Sequence, residues 1–296
     1  MKAKSIGFSD LVIIFVVAFI GLLFLIPMQL VLSTSFSSES ALMKDGFSLV
    51  PRQFSLDAHK MVYRDNITLL RSYMISLLML FIGTPLAVIT TACAAFMLAN
   101  DSIKLKYRNR FALFFFIPMV LQAGLVPWYM MCTALGLRDN VFALIVPSLI
   151  FNAFNLFLVR NYFSKLPSSL HDSAKIDGAN DLIIAFRIYF PISLPVLAVI
   201  TLFYGLGYWN DWFNAIMLVD NRKLYPLQYL LFRLQSEVRM MREMQTINPA
   251  AALTYELPSN SLKMAVVIAT IGPIIILFPF LQRFFIKGLI IGSVKG

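Results

Sequence analysis

Asp172 and Asp177 are the carboxylates that look most like a catalytic pair. They lie five residues apart in the charged segment LPSSLHDSAKIDGANDLIIAFRIYFP (166–191). On a short helix, side chains three or four apart share a face and side chains five apart share it poorly. No nucleophile or metal ligand accompanies them, so neither acid–base nor metal chemistry is supported. The two histidines, His59 and His171, are far apart and have no ligand-like spacing around them. The two cysteines, Cys93 and Cys132, both fall in apolar runs, which argues against a disulfide framework and against a metal site. The phosphate-cradling pattern G-x-x-x-x-G-K-[ST] does not occur. The expectation is therefore no catalytic residue, no metal and no cofactor on this chain.

The elements that would position 166–191 are apolar. Of 296 residues, 59% are hydrophobic and 14% charged, whereas a soluble domain is nearer half apolar and a quarter charged. The excess is gathered into uncharged runs at 11–32, 72–100, 111–137, 140–159, 188–210 and 264–282. Each is about as long as the roughly 20 residues a helix needs to cross a bilayer, and a span exposed to lipid must satisfy its own backbone. The reading is an all-α membrane protein of one domain, 1–296, with six spans. The run at 11–32 is expected to be retained as a span, because a cleaved signal peptide has a shorter apolar core. Gly136-Leu137-Arg138-Asp139 makes a tight hairpin between the third and fourth runs. Prolines in the runs (Pro85, Pro118, Pro127, Pro147, Pro195, Pro273, Pro279) are either tolerated kinks or bends around a pathway.

The net charge of +10 suggests anionic lipid rather than nucleic acid, since no nucleic-acid-binding pattern accompanies it and the cations flank apolar runs. An even number of spans puts both termini on one side. Lys and Arg are nearly balanced between the two sides, but on the side of the termini they sit on shorter loops close to the span ends. That side includes KLKYRNR (104–110), and the positive-inside rule then favours cytoplasmic termini. Two longer loops, about 33–71 and 217–263, lie opposite. The second contains YPLQYLLFRLQSEVRMMREMQ (225–245), which has helical character and is too polar to span.

Within 166–191, Pro167 stops the preceding helix. Ser169 with Asp172 three residues on has the pattern of a capping box, and Asp172 suits the positive end of the helix dipole. The spacing predicts a helix over about 170–177, ended by Gly178. Asn180 or Asp181 then caps a second helix with Leu182, Ala185, Phe186 and Tyr189 on one apolar face. Pro191 and Pro195 open the next span. On physics alone such a segment is either a solvated loop or a docking element for a soluble partner.

The residues DSAKIDGAND…FRIYFPISLP resemble the EAA loop of permease subunits in binding-protein-dependent ABC importers. That family's pattern is Glu-Ala-Ala, Asp-Gly-Ala, then Ile-x-x-Pro. Asp172-Ser173-Ala174, Asp177-Gly178-Ala179 and Ile188 to Pro191 occupy it here. Asp172 departs from the usual glutamate by one methylene, keeping the charge and shortening the reach. The ending SLKMAVVIATIGPIIILFPFLQRFFIKGLIIGSVKG (261–296) is similar to the complex oligo/polysaccharide branch of the carbohydrate-uptake permeases.

The resemblance implies a six-helix permease bundle in a bacterial plasma (inner) membrane. Its expected partners are a second permease subunit, an ATPase dimer carrying ATP and Mg, and an extracytoplasmic solute-binding protein. Asp172, Ser173, Ala174, Asp177, Gly178 and Ala179 would form the ATPase-coupling helix. The sequence GYWNDWFNA (207–215) would lie on the sugar path. Trp209 and Trp212 offer ring faces there, and Asn210, Asp211 and Asn214 offer hydrogen bonds, though tryptophan also gathers at membrane interfaces. Asn152 and Asn155, three apart, would share a cavity face or bond between helices. Arg233, Arg239 and Arg242 would meet the binding protein and suit an acidic oligosaccharide, or belong to a solvated face. The implied function is ATP-driven import of an oligosaccharide by a chain that is not itself an enzyme. The alternatives are an ABC permease for a non-sugar solute and an ion-gradient carrier. The lack of charges inside the six runs weighs against the carrier.

Overall fold

The structure, a computed structural model, describes residues 8–64, 66–100, 103, 105–121, 124–147, 152–247 and 260–271. Helix is the only regular element among them, apart from an isolated antiparallel bridge between Ser37 and Phe54. The chain divides into two compact units, Met1–Asn66 with Leu231–Pro273, and Ile67–Leu230 with Ile274–Gly296.

In the first unit, α1 (Phe8–Ser35) is apolar all round. Its stretch Leu11–Ser35, 25 residues, is long and apolar enough to cross a membrane and buries none of its apolar window in the chain. Such a helix is stable only where lipid or another chain covers it. Helices α2 (Glu39–Asp45) and α3 (Asp57–Val62) follow. Ser38 caps α2, its hydroxyl accepting from the Ala41 N–H at 3.3 Å. The buried Glu39 carboxylate accepts from the N–H groups of Asn260 and Ser261 and from the Ser261 hydroxyl, at 3.0–3.1 Å. It thus satisfies the orphan donors at the start of the last described helix, Asn260–Ile271.

The second unit begins with α4 (Asn66–Leu78, from Ile67 onward) and α5 (Thr84–Ala99), joined through a π-helical turn at Met79–Gly83. Together they make an unbroken 33-residue stretch, Ile67–Ala99, also able to span. Helix α5 packs on α9 (Ala153–Phe163) and α13 (Leu194–Trp209), and α6 (Arg108–Val120) lies along α9. Two hydroxyls tie these helices. The Tyr204 hydroxyl takes the Asn152 N–H at 3.0 Å and pairs with the Thr91 hydroxyl at 2.7 Å. The Tyr208 hydroxyl donates to the Ile145 carbonyl at 2.9 Å. The Tyr208 ring lies on Gly83, where an added Cβ would come within 2.6 Å of it.

Three of the expected apolar runs are interrupted. The run 111–137 is two helices, α6 and α7 (Leu125–Ala134). The break falls beside Gly124, whose φ of 84° is open to glycine and costly for other residues. In the run 140–159, α8 (Phe142–Ile145) stops before Pro147, and α9 starts only after Asn152. The run 188–210 becomes helical as a span only from Leu194. Before it, the stretch Asp181–Ile192 meets Leu194–Trp209 at 88°. Pro191 and Pro195 flank that bend, and the missing N–H of Pro195 removes a helical hydrogen bond at it. The sixth run, 264–282, is described only to Ile271.

The stretch Asp181–Ile192 is made of α11 (Asp181–Ile184), a π-helical turn Ala185–Tyr189 and α12 (Phe190–Ile192). Before it comes α10 (Ser169–Ile176); after the α13 span come α14 (Phe213–Leu218), a 3-10 turn and α15 (Leu227–Ile247). Helix α15 matches the helical character expected of 225–245.

Candidate functional site

The segment 166–191 is a corner made of two helices. Helix α10 ends in a glycine motif: Gly178 has φ 81°, its N–H donates to the Lys175 carbonyl, and the Ala179 N–H donates to the Ala174 carbonyl, both at 3.0 Å. These bonds satisfy the last carbonyls of α10 and reverse the chain sharply. Asn180 then caps α11, its side-chain oxygen accepting from the Ile183 N–H at 2.8 Å. The start of α10 differs from expectation. Ser168, not Ser169, holds the cap position, with helical backbone angles and no side-chain cap bond. The turn from Pro167 supplies carbonyls for the first N–H groups instead, so the Ser169–Asp172 capping box does not form.

Across the corner three side chains meet. The Asp181 carboxylate accepts from the Lys175 ammonium at 2.9 Å and lies 3.1 Å from His171 Nε2. The hydrogen bond from Lys175, helped by His171, holds the Asp181 carboxyl below the usual carboxylate range despite partial burial. His171 is 2% exposed. It lies against Phe96 at the end of α5, and Phe96 packs edge-on against Tyr189, which in turn meets Phe163 of α9. The corner is thus locked internally by charge and keyed into α5 and α9 by aromatic packing.

Of the residues expected to couple, Asp172, Ser173, Asp177 and Gly178 are exposed, Ala179 is half-buried and Ala174 is buried. Ala174 therefore packs inward and its neighbours face out, as one side of a short helix requires. Ile176, next to the corner, is 86% exposed, and Leu182 and Phe186 are also uncovered. Leu182, Ala185, Phe186 and Tyr189 therefore do not form one buried face. Ile184, Ala185 and Tyr189 face inward while Leu182 and Phe186 face out, and a π-helical turn runs from Ala185 to Tyr189. Sequence reasoning missed His171, Lys175 and Ile176. His171 and Lys175 stand four apart on one helix face, a signal that becomes meaningful only with Asp181 beside them.

The second group lies at the far end of α13. Trp212 is 42% exposed and meets Phe213, whose ring lies 5.5 Å from that of Trp128. Trp209 is 2% exposed, so its ring packs inside the chain and offers no face to a sugar; of the two tryptophans only Trp212 does. Asp211 is buried and accepts from the Asn214 N–H at 3.1 Å and from its side-chain amide at 2.7 Å. The Asn214 amide oxygen is buried and has no hydrogen-bond partner among the described residues. Exposed Asn210 bonds to the Leu206 carbonyl and to Gln228. Asn152 and Asn155 do not share a helix face: Asn152 precedes α9 in extended conformation and caps it through the Asn155 N–H at 3.2 Å, while Asn155 is buried. On α15, Arg233 pairs with Glu237 at 3.3 Å and Arg239 is exposed; the Arg242 side chain lies outside the described residues. Among the described residues no group of His, Cys, Asp and Glu could hold a metal ion.

No protein-family model matches the chain. Protein LplC of Bacillus subtilis is 35% identical over 277 residues, covering 94% of this chain and 91% of LplC. The polygalacturonan/rhamnogalacturonan transport system permease protein YtcP of the same organism is 35% identical over 280 residues, covering 93% and 94%. Among solved structures, a chain of a bacterial ABC transporter involved in the import of the acidic polysaccharide alginate superposes with a TM-score of 0.76. It is 27% identical, over 96% of this chain and 99% of that one.

Proposed function

Because this chain belongs to the permease subunits of ATP-driven ABC importers of sugars and oligosaccharides, we propose that its 166–191 corner is the coupling element that takes motion from an ATPase into the membrane helices. The chain is an all-helical integral membrane protein and not an enzyme. Permeases of this kind work with a second permease, an ATPase and a solute-binding protein. The finer reading is six spans in a bacterial plasma membrane with both termini in the cytoplasm, a related second permease, and ATP with Mg on the separate ATPase dimer. No observation favours an ion-gradient carrier.

One observation carries the coupling role. A short, charged helix ends in an 86%-exposed isoleucine, and the corner beside it is braced by His171, Lys175 and Asp181 and bent at 88° into α13. Leu182, Ile183 and Phe186 of the same segment are exposed as well, and grouped bare apolar side chains on a polar element call for a covering partner. A rigid corner converts a push on α10 into a tilt of α13, whereas a slack loop would absorb it. Ile176→Cys, placed in the assembled transporter, should crosslink to a cysteine-bearing ATPase in a nucleotide-dependent manner. Crosslinks only to lipid or to the solute-binding protein would remove the coupling role.

We assign the exposed Trp212, Asn210 and Asn152 to the cargo path, with the buried Asp211, Asn214 and Asn155 as residues that brace it. Arg233, Arg239 and Arg242 are assigned to the binding-protein face. YtcP is named for polygalacturonan and rhamnogalacturonan transport and the solved importer for the acidic polysaccharide alginate, which supports an acidic oligosaccharide as cargo. Transport-coupled ATP hydrolysis with uronate oligosaccharides against neutral ones of equal length tests this, and equal stimulation by both would count against it.

A further inference from the structure

The loop between α5 and α6 makes a cavity that neither the coupling corner nor the cargo path uses. It is an open depression of about 790 Å³, lined by Lys106, Tyr107, Arg108, Arg110 and Arg160 among others, with no carboxylate among the described residues of its wall. Arg108 is fixed there by donating through Nη2 to the Ile103 carbonyl at 2.7 Å and to the Asn100 carbonyl. Lys106 and Arg110 stand over the Tyr107 ring, 5.5 and 4.9 Å from its centre. Arg160, on α9, lies 5.9 Å from the Phe157 ring centre and its Nε donates to the Leu98 carbonyl at 3.4 Å. Among the described residues no carboxylate pairs with Lys106, Arg110 or Arg160. The one acidic residue of 100–110, Asp101, lies outside the described residues.

Lys106, Arg110 and Arg160, held around one concave space, repel each other unless an anion joins them. Arginine forks match phosphate oxygens in pairs, and ring-stacked cations are already oriented to donate. The cavity also opens at the foot of α6, whose Phe111, Leu113 and Phe114 are 46%, 59% and 64% exposed. A free phosphate has no use for that apolar flank, but a lipid does: its headgroup fits the cations and its acyl chains fit the flank. We infer that the cavity between the α5–α6 loop and Arg160 binds the phosphate headgroup of an anionic phospholipid, with its chains along α6.

The test uses the assembled transporter in detergent and native mass spectrometry with phosphatidylglycerol, phosphatidylcholine and inorganic phosphate as probes. The parent should retain one phosphatidylglycerol that neither phosphatidylcholine nor millimolar phosphate displaces. Each charge removed near a lipid surface weakens binding about fivefold, so Arg110→Gln with Arg160→Gln should lower retention about 25-fold. Lys106→Gln with Arg110→Gln leaves the Arg160 contact to Leu98 intact and should do the same, and Arg222→Gln, outside the cavity, should change nothing. Equal retention in all variants, or equal retention of phosphatidylcholine, would overturn the inference. Displacement by phosphate would make this a soluble-anion site instead. Weakened ATPase association with the lipid kept would assign the surface to the ATPase. The choice of leaflet rests on the topology proposed above. Retention in detergent is read without it, and sided labelling of Asn109→Cys reports that topology separately.

Discussion

Replacing Gly178 by alanine isolates what the corner needs. A Cβ built on Gly178 meets nothing within 4 Å, so any effect must come from the backbone. The residue has φ 81°, where an L-residue with a Cβ costs roughly 1–2 kcal/mol. That is a shift of about 5- to 30-fold in the equilibrium between closed and opened corner, at tenfold per 1.4 kcal/mol. Asparagine tolerates the same region, so Gly178→Asn should stay within about twofold of the parent. Gly178→Pro should be worse than alanine, because it forces φ near −65° and deletes the N–H that bonds the Lys175 carbonyl. Spin labels at Ser169 and Arg187, both exposed, report the corner by pulsed distance measurement in the assembled complex, and coupled ATP hydrolysis should fall as the opened fraction rises. If alanine and asparagine behave alike, the left-handed conformation is not what matters and the lever argument fails.

Acid should loosen the same corner. The Asp181 carboxyl is held below its ordinary value in the folded chain, so its ion pair contributes in full above the unfolded pKa of about 4. The contribution is lost as pH falls through the lower folded value. The label distances should therefore broaden below about pH 4 in the parent, and Asp181→Asn should show the broadened distribution already at neutral pH. At the far end of α13 the two tryptophans should separate. Trp212→Ala should lower binding-protein-stimulated ATP hydrolysis with melting unchanged, while buried Trp209→Ala should cost about 3–5 kcal/mol of stability, read as a lower melting temperature in detergent. Gly83→Ala should also lower the melting temperature, because its Cβ would sit 2.6 Å from the Tyr208 ring and overpacking of this kind costs about 1–3 kcal/mol. Tyr204→Phe removes the hydroxyl that joins Thr91 to the Asn152 N–H, and leaving those groups unpaired should cost about 1–3 kcal/mol by the same assay.

What the sequence determined is what depends on near neighbours along the chain. Helices and apolar runs follow from composition and from the backbone's need to satisfy itself in lipid. The turn at Gly178 follows from one residue type that accepts positive φ, and the cap at Asn180 from a side chain that reaches three residues on. Tertiary structure decided the rest. His171 carries no local mark of its role, because its partners are Asp181 across the corner and Phe96 on α5. Leu182 and Phe186 share the apolar pattern of Ala185 and Tyr189, yet the first two are exposed and the last two buried, because only one side of that stretch has the rest of the chain against it. Trp209 and Trp212 are the same residue type three positions apart, yet packing buries one and bares the other. Burial, unlike turn geometry, is a property of what the rest of the chain places alongside.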